Sequence, residues 1–202
     1  MSSFLLITGD PGAGKSLRAL QEADTLAREG RPVYWANVRG MKRADWERFD
    51  PLKWMDLPDG SVLLIDEVQD FWPQRSPSKD PPESVKRLDK HRHRGFTIIV
   101  TTQKPPQMDY MARYFVTRHI HVRNNFGMQN GTQFDMPRIM DVDDKSHLSK
   151  AIKTAFVYPK DIYEWYESAT QHNVKPRIPL RLLAFPVLLL GVVGLAWGGG
   201  SV

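Results

Sequence analysis

The sequence predicts an α/β fold with a mainly parallel central sheet and flanking helices, followed by one C-terminal helix able to cross a membrane. Three observations lead there. Strand-like and helix-like patterns alternate through the first third of the chain, as a parallel sheet with crossover helices requires. A glycine-rich turn, Gly9 to Ser16, lies between a strand-like and a helix-like run. From Leu182 to Val202, 21 residues pass without a charge.

The elements follow in order. FLLIT (4–8) is a buried strand, and Ser16 to Glu29 sets Leu17, Leu20, Ala23 and Ala27 at helical spacing with Gly30 as the stop. PVYWAN (32–37) is a second strand. The stretch 45–59 predicts a short helix and then a loop ending at Asp59-Gly60, and SVLLIDE (61–67) is a third strand. Residues 73–82, with four of the fifteen prolines, read as an exposed loop. A helix over 84–93 precedes a fourth strand, FTIIVTT (96–102), and Tyr114 to Val122 gives a fifth. Asn124 to Gly131 has the content of a turn or hairpin, and Asp161 to Ala169 predicts an amphipathic helix. The expected organisation is a domain over 1–172, a basic linker over 173–181 and a membrane segment over 182–202.

Composition sets outer limits. The chain has 202 residues and no cysteine, which excludes disulfides and thiolate metal sites and suits a reducing compartment. A net charge of +5 favours an anionic partner without distinguishing nucleic acid, lipid headgroup or nucleotide. Met1 to Ile7 lacks the basic and apolar regions of a signal peptide.

Gly9 to Ser16, GDPGAGKS, fits G-x-x-x-x-G-K-[ST] in the strand-to-helix context that this motif demands, so the fold expected is a P-loop NTPase. Glycines let successive backbone N–H groups point inward at a β-phosphate, and the helix N-terminus adds its dipole. Nucleotide contacts are expected from Gly9, Asp10, Pro11, Gly12, Ala13, Gly14, Lys15, Ser16 and Leu17. Lys15 bridges the β- and γ-phosphates, and the Ser16 hydroxyl helps to hold Mg²⁺. Asp66 and Glu67 end a fully apolar strand in a Walker B pattern. Asp66 is the expected Mg²⁺ residue and Glu67 the base that takes a proton from the attacking water.

A glutamate beside the Walker B aspartate resembles the P-loop division with an extra strand between the loop strand and the Walker B strand. VYWAN is the expected extra strand, and Gln103, after FTIIVTT, the expected γ-phosphate sensor. No Asn-Lys-x-Asp guanine-reading motif is present, so the cofactors expected are ATP and Mg²⁺.

KHRHRG (90–95) makes Arg92 or Arg94 a candidate arginine finger toward a neighbouring subunit, with a solvated basic face as the alternative. His91/His93 and His119/His121 have H-x-H spacing, but further ligands nearby in sequence are lacking, so no metal beyond Mg²⁺ is expected. Leu182 to Val202 measures about 31 Å as a helix at 1.5 Å per residue, enough to span a bilayer. Lys175, Arg177 and Arg181 precede it, which places the NTPase domain on the cytoplasmic side.

Together, ITGDPGAGKS, VLLIDEVQDFWP, HRHRGFTIIVTTQKP and YESATQHN ahead of a hydrophobic segment resemble the zonular occludens toxin (Zot) family over most of residues 3–172. Its members resemble the assembly proteins of filamentous bacteriophages, inner-membrane ATPases that drive extrusion of the single-stranded DNA phage. On this resemblance Gly9 to Ser16 match the Walker A loop and Asp66-Glu67 the Walker B pair. His91, Arg92, His93, Gly95 and Gln103 match the family's RH-x-G and TQ neighbourhood. Members typically continue into an extracytoplasmic domain with which toxin activity is associated, so these 202 residues are expected to be truncated and no toxin activity is expected of them.

The resemblance implies an oligomeric, single-pass ATPase of the bacterial host inner membrane, with phage coat or assembly proteins and single-stranded DNA as partners. The rival readings are a soluble small-molecule kinase and a membrane scaffold that binds nucleotide without turnover.

Overall fold

The computed structural model describes residues 3–125 and 128–167. Eight strands form one sheet: β1 (Ser3–Thr8), β2 (Val33–Ala36), β3 (Glu47–Arg48), β4 (Val62–Ile65), β5 (Thr97–Thr102), β6 (Arg118–Asn124), β7 (Asn130–Met136) and β8 (Ile152–Val157). Their order is β3-β2-β4-β5-β1-β6-β7-β8. Neighbours from β3 to β6 run parallel, while β6–β7 and β7–β8 are antiparallel. The helices are α1 (Lys15–Arg28), α2 (Glu83–Lys86), α3 (Tyr110–Arg113) and α4 (Lys145–Ser149).

β1 and β4 are apolar on both faces because both faces are covered. Leu5, Ile7, Val62 and Leu64 pack with Leu17, Leu20 and Ala23 of α1. Phe4, Leu6, Leu63 and Ile65 point the other way, to Trp54, Trp72, Leu88 and Phe96. Burying one such side chain contributes roughly 1.5–3 kcal/mol. Among the described residues no long helix covers this second face. Two fully buried tryptophans do so instead, and both anchor on one serine: Trp54 Nε1 donates to Ser84 O (2.8 Å) and Trp72 Nε1 to Ser84 Oγ (3.1 Å).

Several expectations need correction. VYWAN forms β2, but it lies outside β4; the strand between β1 and β4 is β5, the FTIIVTT strand. Residues 45–59 hold the two-residue β3 and a 3-10 turn, Pro51–Asp56, where Pro51 and the Asp50 cap favour a tight start. The helix expected over 84–93 is one turn of α2 continued by a 3-10 turn, Arg87–Lys90. The fifth strand begins at Arg118, and Tyr110–Arg113 ahead of it is helical, capped by the Asp109 carboxylate on Met111 N–H at 2.7 Å. Among the described residues the sheet has eight strands and not five. Asn124 to Gly131 does join a hairpin, β6 to β7. Asp161–Trp165 is a 3-10 turn, with residues 168–169 outside the described range.

Loop 73–82 is exposed as expected, yet Arg75 ties it down by pairing with the buried Asp109 (2.7 Å) and lying over the Tyr110 ring. The linker over 173–181 and the membrane segment over 182–202 lie outside the described residues. Among the described residues no helix is long and apolar enough to cross a membrane.

Candidate functional site

The parallel strands β1, β4 and β5 all end at one edge of the sheet, where a doubly covered sheet opens a crevice. β1 delivers the loop 9–16, β4 delivers Asp66 and Glu67, and β5 delivers Gln103. They line one cavity of about 240 Å³ with Pro11, Gly12, Gly14, Lys15, Ser16, Asp66, Glu67 and Gln103 in its wall. Arg39, Tyr166 and Glu167 complete it.

The loop is shaped by backbone contacts. Gly9 N–H donates to Gln103 O (3.3 Å), and Ala13 N–H to Asp10 O (3.1 Å). Helix α1 begins at Gly14 with no side-chain cap and no acid in its first turn. Its first helical hydrogen bond runs from Arg18 N–H to Gly14 O (2.9 Å). The amides of Lys15, Ser16 and Leu17 therefore precede the helical ladder and form a donor end suited to an anion. The Leu17 side chain itself is core, packed under the sheet and not lining the cavity.

Gly14 has φ 90°, and a Cβ there would come within 3.0 Å of the Tyr158 ring. Tyr158 buttresses the loop from outside: its hydroxyl donates to Ala13 O (2.8 Å) and accepts from Asn124 Nδ2 (2.9 Å).

Behind the loop, polar groups converge on Asp66. Ser16 Oγ lies 2.9 Å from both Asp66 carboxylate oxygens. Thr101 Oγ1 donates to Asp66 Oδ1 (2.6 Å) and accepts from Glu67 N–H (2.9 Å). Burial pushes the Asp66 carboxyl above its ordinary pKa, against the hydrogen bonds from Thr101 and Ser16. Glu67 adopts a left-handed backbone (φ 52°, ψ 63°), unusual for a residue with a Cβ. Its carboxylate stands 3.8 Å from Lys15 Nζ and accepts from Gln69 Nε2 at 2.7 Å. Lys15, 6% exposed, also reaches Asp10 O at 3.4 Å. The Gln107 side-chain oxygen fixes the turn after β5 by accepting from Thr102 Oγ1, Gln103 N–H and Lys104 N–H.

The structure does not bring Arg92 or Arg94 to this cavity. Both precede β5, at the opposite end of the strands, about 17 Å away at 3.3 Å per residue. Arg94 is bound there to Asp59 Oδ1 (2.6 Å), Met55 O (2.5 Å) and Leu57 O (2.7 Å). Arg92 is exposed at the same end.

The two H-x-H pairs behave differently. His91 is buried against Phe4 and Phe115 while His93 is exposed. His119 and His121 share one face of β6 and clasp the Thr8 hydroxyl at 2.7 and 2.9 Å. Burial lowers their pKa values to about 3 and about 4. Among the described residues no group of three or more His, Cys, Asp or Glu is placed to hold a metal ion.

Sequence reasoning missed Thr101, Tyr158, Arg39, Tyr166 and Glu167. Only Thr101 had a local signal, a hydroxyl two residues before Gln103 at the end of a buried strand.

Comparison with known proteins follows the same lines. The family model described as Zonular occludens toxin (Zot) matches residues 42–173. The putative assembly protein ORF301 of Pseudomonas phage Pf3 is 32% identical over 203 residues, covering 94% of this chain and 66% of that protein's length. The crystal structure of the N-terminal domain of zonular occludens toxin from Neisseria meningitidis is 31% identical, with a TM-score of 0.66 over 83% of this chain and 100% of that one.

Proposed function

The chain belongs to the zonular occludens toxin family, and from that premise we propose that it is a magnesium-dependent ATPase serving filamentous phage assembly. The observation that carries the enzymatic part is the convergence of Ser16 and Asp66 at 2.9 Å inside the crevice that the glycine-rich loop encloses. Hard oxygen donors so few in number suit Mg²⁺, which takes one or two protein ligands and fills the rest from water and phosphate.

In this reading the backbone N–H groups of Gly12, Gly14, Lys15 and Ser16 and the Lys15 ammonium bind the β- and γ-phosphates. Ser16 and Asp66 would hold Mg²⁺, which would supply charge neutralisation at the phosphoryl oxygens. Thr101 holds Asp66 and the Glu67 backbone at fixed positions through one hydroxyl. Glu67, turned into the cavity by its left-handed backbone, takes the proton of the attacking water. Gln103 hydrogen-bonds the γ-phosphate and reports its loss to the turn after β5.

The wider role rests on the family and on the name of the Pf3 relative, an assembly protein. We assign to this chain a homo-oligomeric motor at the bacterial inner membrane, held by residues 182–202 with the ATPase domain in the cytoplasm. Its partners are phage coat or assembly proteins and single-stranded DNA.

Phosphate release from ATP tests the enzymatic reading: wild type should require Mg²⁺, and Glu67→Gln should lose turnover. Equal rates for the two proteins contradict it. Carbonate extraction of membranes from cells expressing the full chain tests the anchor; release into the soluble fraction contradicts a span.

A further inference from the structure

The cavity has one charged wall that none of the motifs accounts for. Arg39 follows β2 and Glu167 follows the 3-10 turn Asp161–Trp165, and both line the same cavity as Lys15, Ser16, Asp66 and Glu67. Arg39 Nε lies 3.5 Å from Glu167 Oε2, and the two side chains are 85% and 63% exposed. The pair therefore stands at the mouth, where water screens it and its strength as an ion pair is small.

The backbones beneath this weak pair are firmly joined. Glu167 N–H donates to Arg39 O (2.9 Å), and Lys42 N–H donates to Trp165 O (2.7 Å). Arg43 lies over both the Trp165 and Trp46 rings at 4.2 and 4.8 Å. Gly40 permits the approach, since a Cβ there would sit 2.4 Å from Glu167 Cγ. Residues 165–167 thus form a strap laced onto loop 39–46, with Tyr166 in the cavity wall.

We propose that Arg39 is a cis-acting γ-phosphate ligand, and that Glu167 holds its guanidinium at the pocket mouth until the phosphate replaces the carboxylate. This rests on the ATPase reading above. With every group ionised, the cavity holds two cations, Lys15 and Arg39, against three carboxylates, Asp66, Glu67 and Glu167. Even with Mg²⁺ at Asp66, a triphosphate gains from a second basic side chain. Arg39 is the remaining cation in this wall, and guanidinium geometry suits bidentate contact with phosphate as it suits carboxylate. A fixed backbone with a loosely held side chain lets that exchange proceed without moving the strap.

The test compares nucleotide affinities of the full chain for Mg·AMPPNP and Mg·ADP by calorimetry. Arg39→Ala should weaken AMPPNP binding by roughly ten- to a hundredfold, the effect of one charge-assisted hydrogen-bonded contact, and leave ADP binding unchanged. Glu167→Gln should tighten AMPPNP several-fold and lose that gain when combined with Arg39→Ala. Equal loss for both nucleotides, or no loss for either, overturns the proposal, as does a Glu167→Gln affinity equal to wild type. Failure of folded wild-type protein to bind either nucleotide instead removes the ATPase reading on which the proposal stands.

Discussion

The two ends of the same central strands are built on opposite terms. At the N-terminal ends of β4 and β5, Arg31 donates to Gly60 O (2.7 Å), Ser61 O (3.1 Å), Gly95 O (2.8 Å) and Thr97 Oγ1 (2.7 Å), and Arg94 binds two further carbonyls and Asp59. These guanidinium groups close the loops that feed the strands. At the C-terminal ends the helix amides are uncapped, burial raises the Asp66 carboxyl above its ordinary pKa against the hydroxyls of Thr101 and Ser16, and Glu67 sits in a strained backbone. One end is satisfied by the chain itself; the other presents uncapped helix amides and the Asp66 and Glu67 carboxylates to the crevice. Stability and activity should therefore separate along the strand axis.

The largest expected effect lies at the ligand end. Glu67→Gln should lower turnover by about 10²- to 10⁴-fold, the range for a positioned general base, while thermal melting shifts by little. A melting temperature that falls together with turnover would erase the distinction between the ends. At the other end Arg31→Ala, which strips donors from three carbonyls, should destabilise the fold by roughly 2–4 kcal/mol. Urea unfolding measures it, and turnover per folded molecule should stay at the wild-type value.

Acid should act through the strand ends as well. His119 and His121 have folded pKa values near 3 and 4 against about 6.5 unfolded, so below pH 6.5 the unfolded chain binds more protons than the folded one. Each ring then removes up to about 1.4 kcal/mol of stability per pH unit between pH 6.5 and its folded pKa. Melting curves from pH 8 to 4 should be flat above pH 7 and fall steeply below 6; a flat profile throughout would mean that the rings are not buried neutral.

Smaller effects sharpen the picture. Arg94→Ala should cost about 1–2 kcal/mol of stability and leave turnover unchanged at every protein concentration. A concentration-dependent loss in Arg94→Ala or Arg92→Ala would return the arginine finger from a neighbouring copy. Tyr158→Phe removes a hydroxyl shared by Ala13 O and Asn124, for about 1 kcal/mol and a modest rise in KM.

The parallel half was legible in the sequence because it is buried twice. FLLIT, VLLI and TIIVTT are unbroken apolar or β-branched runs, and the loop between FLLIT and α1 has a spacing that few other structures use. The antiparallel half was not. β8 buries one residue of its six, Phe156, and β7 alternates weakly through Gly131, Thr132 and Gln133, so neither has a core-facing pattern to read. Strand order is equally silent in local patterns: VYWAN is a strand in either position, and only the pairing of β4 with β5 moved it outward.

At the site, spacing singled out Lys15 and Ser16, the end of an apolar strand Asp66 and Glu67, and the resemblance to a P-loop division Gln103, and all five line one cavity. Thr101, Tyr158, Arg39 and Glu167 reach it by tertiary contact from up to 145 positions away, as in Tyr158 with Ala13, a distance that no motif spans.

Titration calorimetry of the folded wild-type chain with ATP, in Mg²⁺ and then in EDTA, tests the central claim most directly. Saturable binding that weakens in EDTA, and weakens equally in Mg²⁺ for Asp66→Asn, is the predicted result. Absence of binding by protein whose circular dichroism is native, or affinity indifferent to both Mg²⁺ and Asp66, would contradict it.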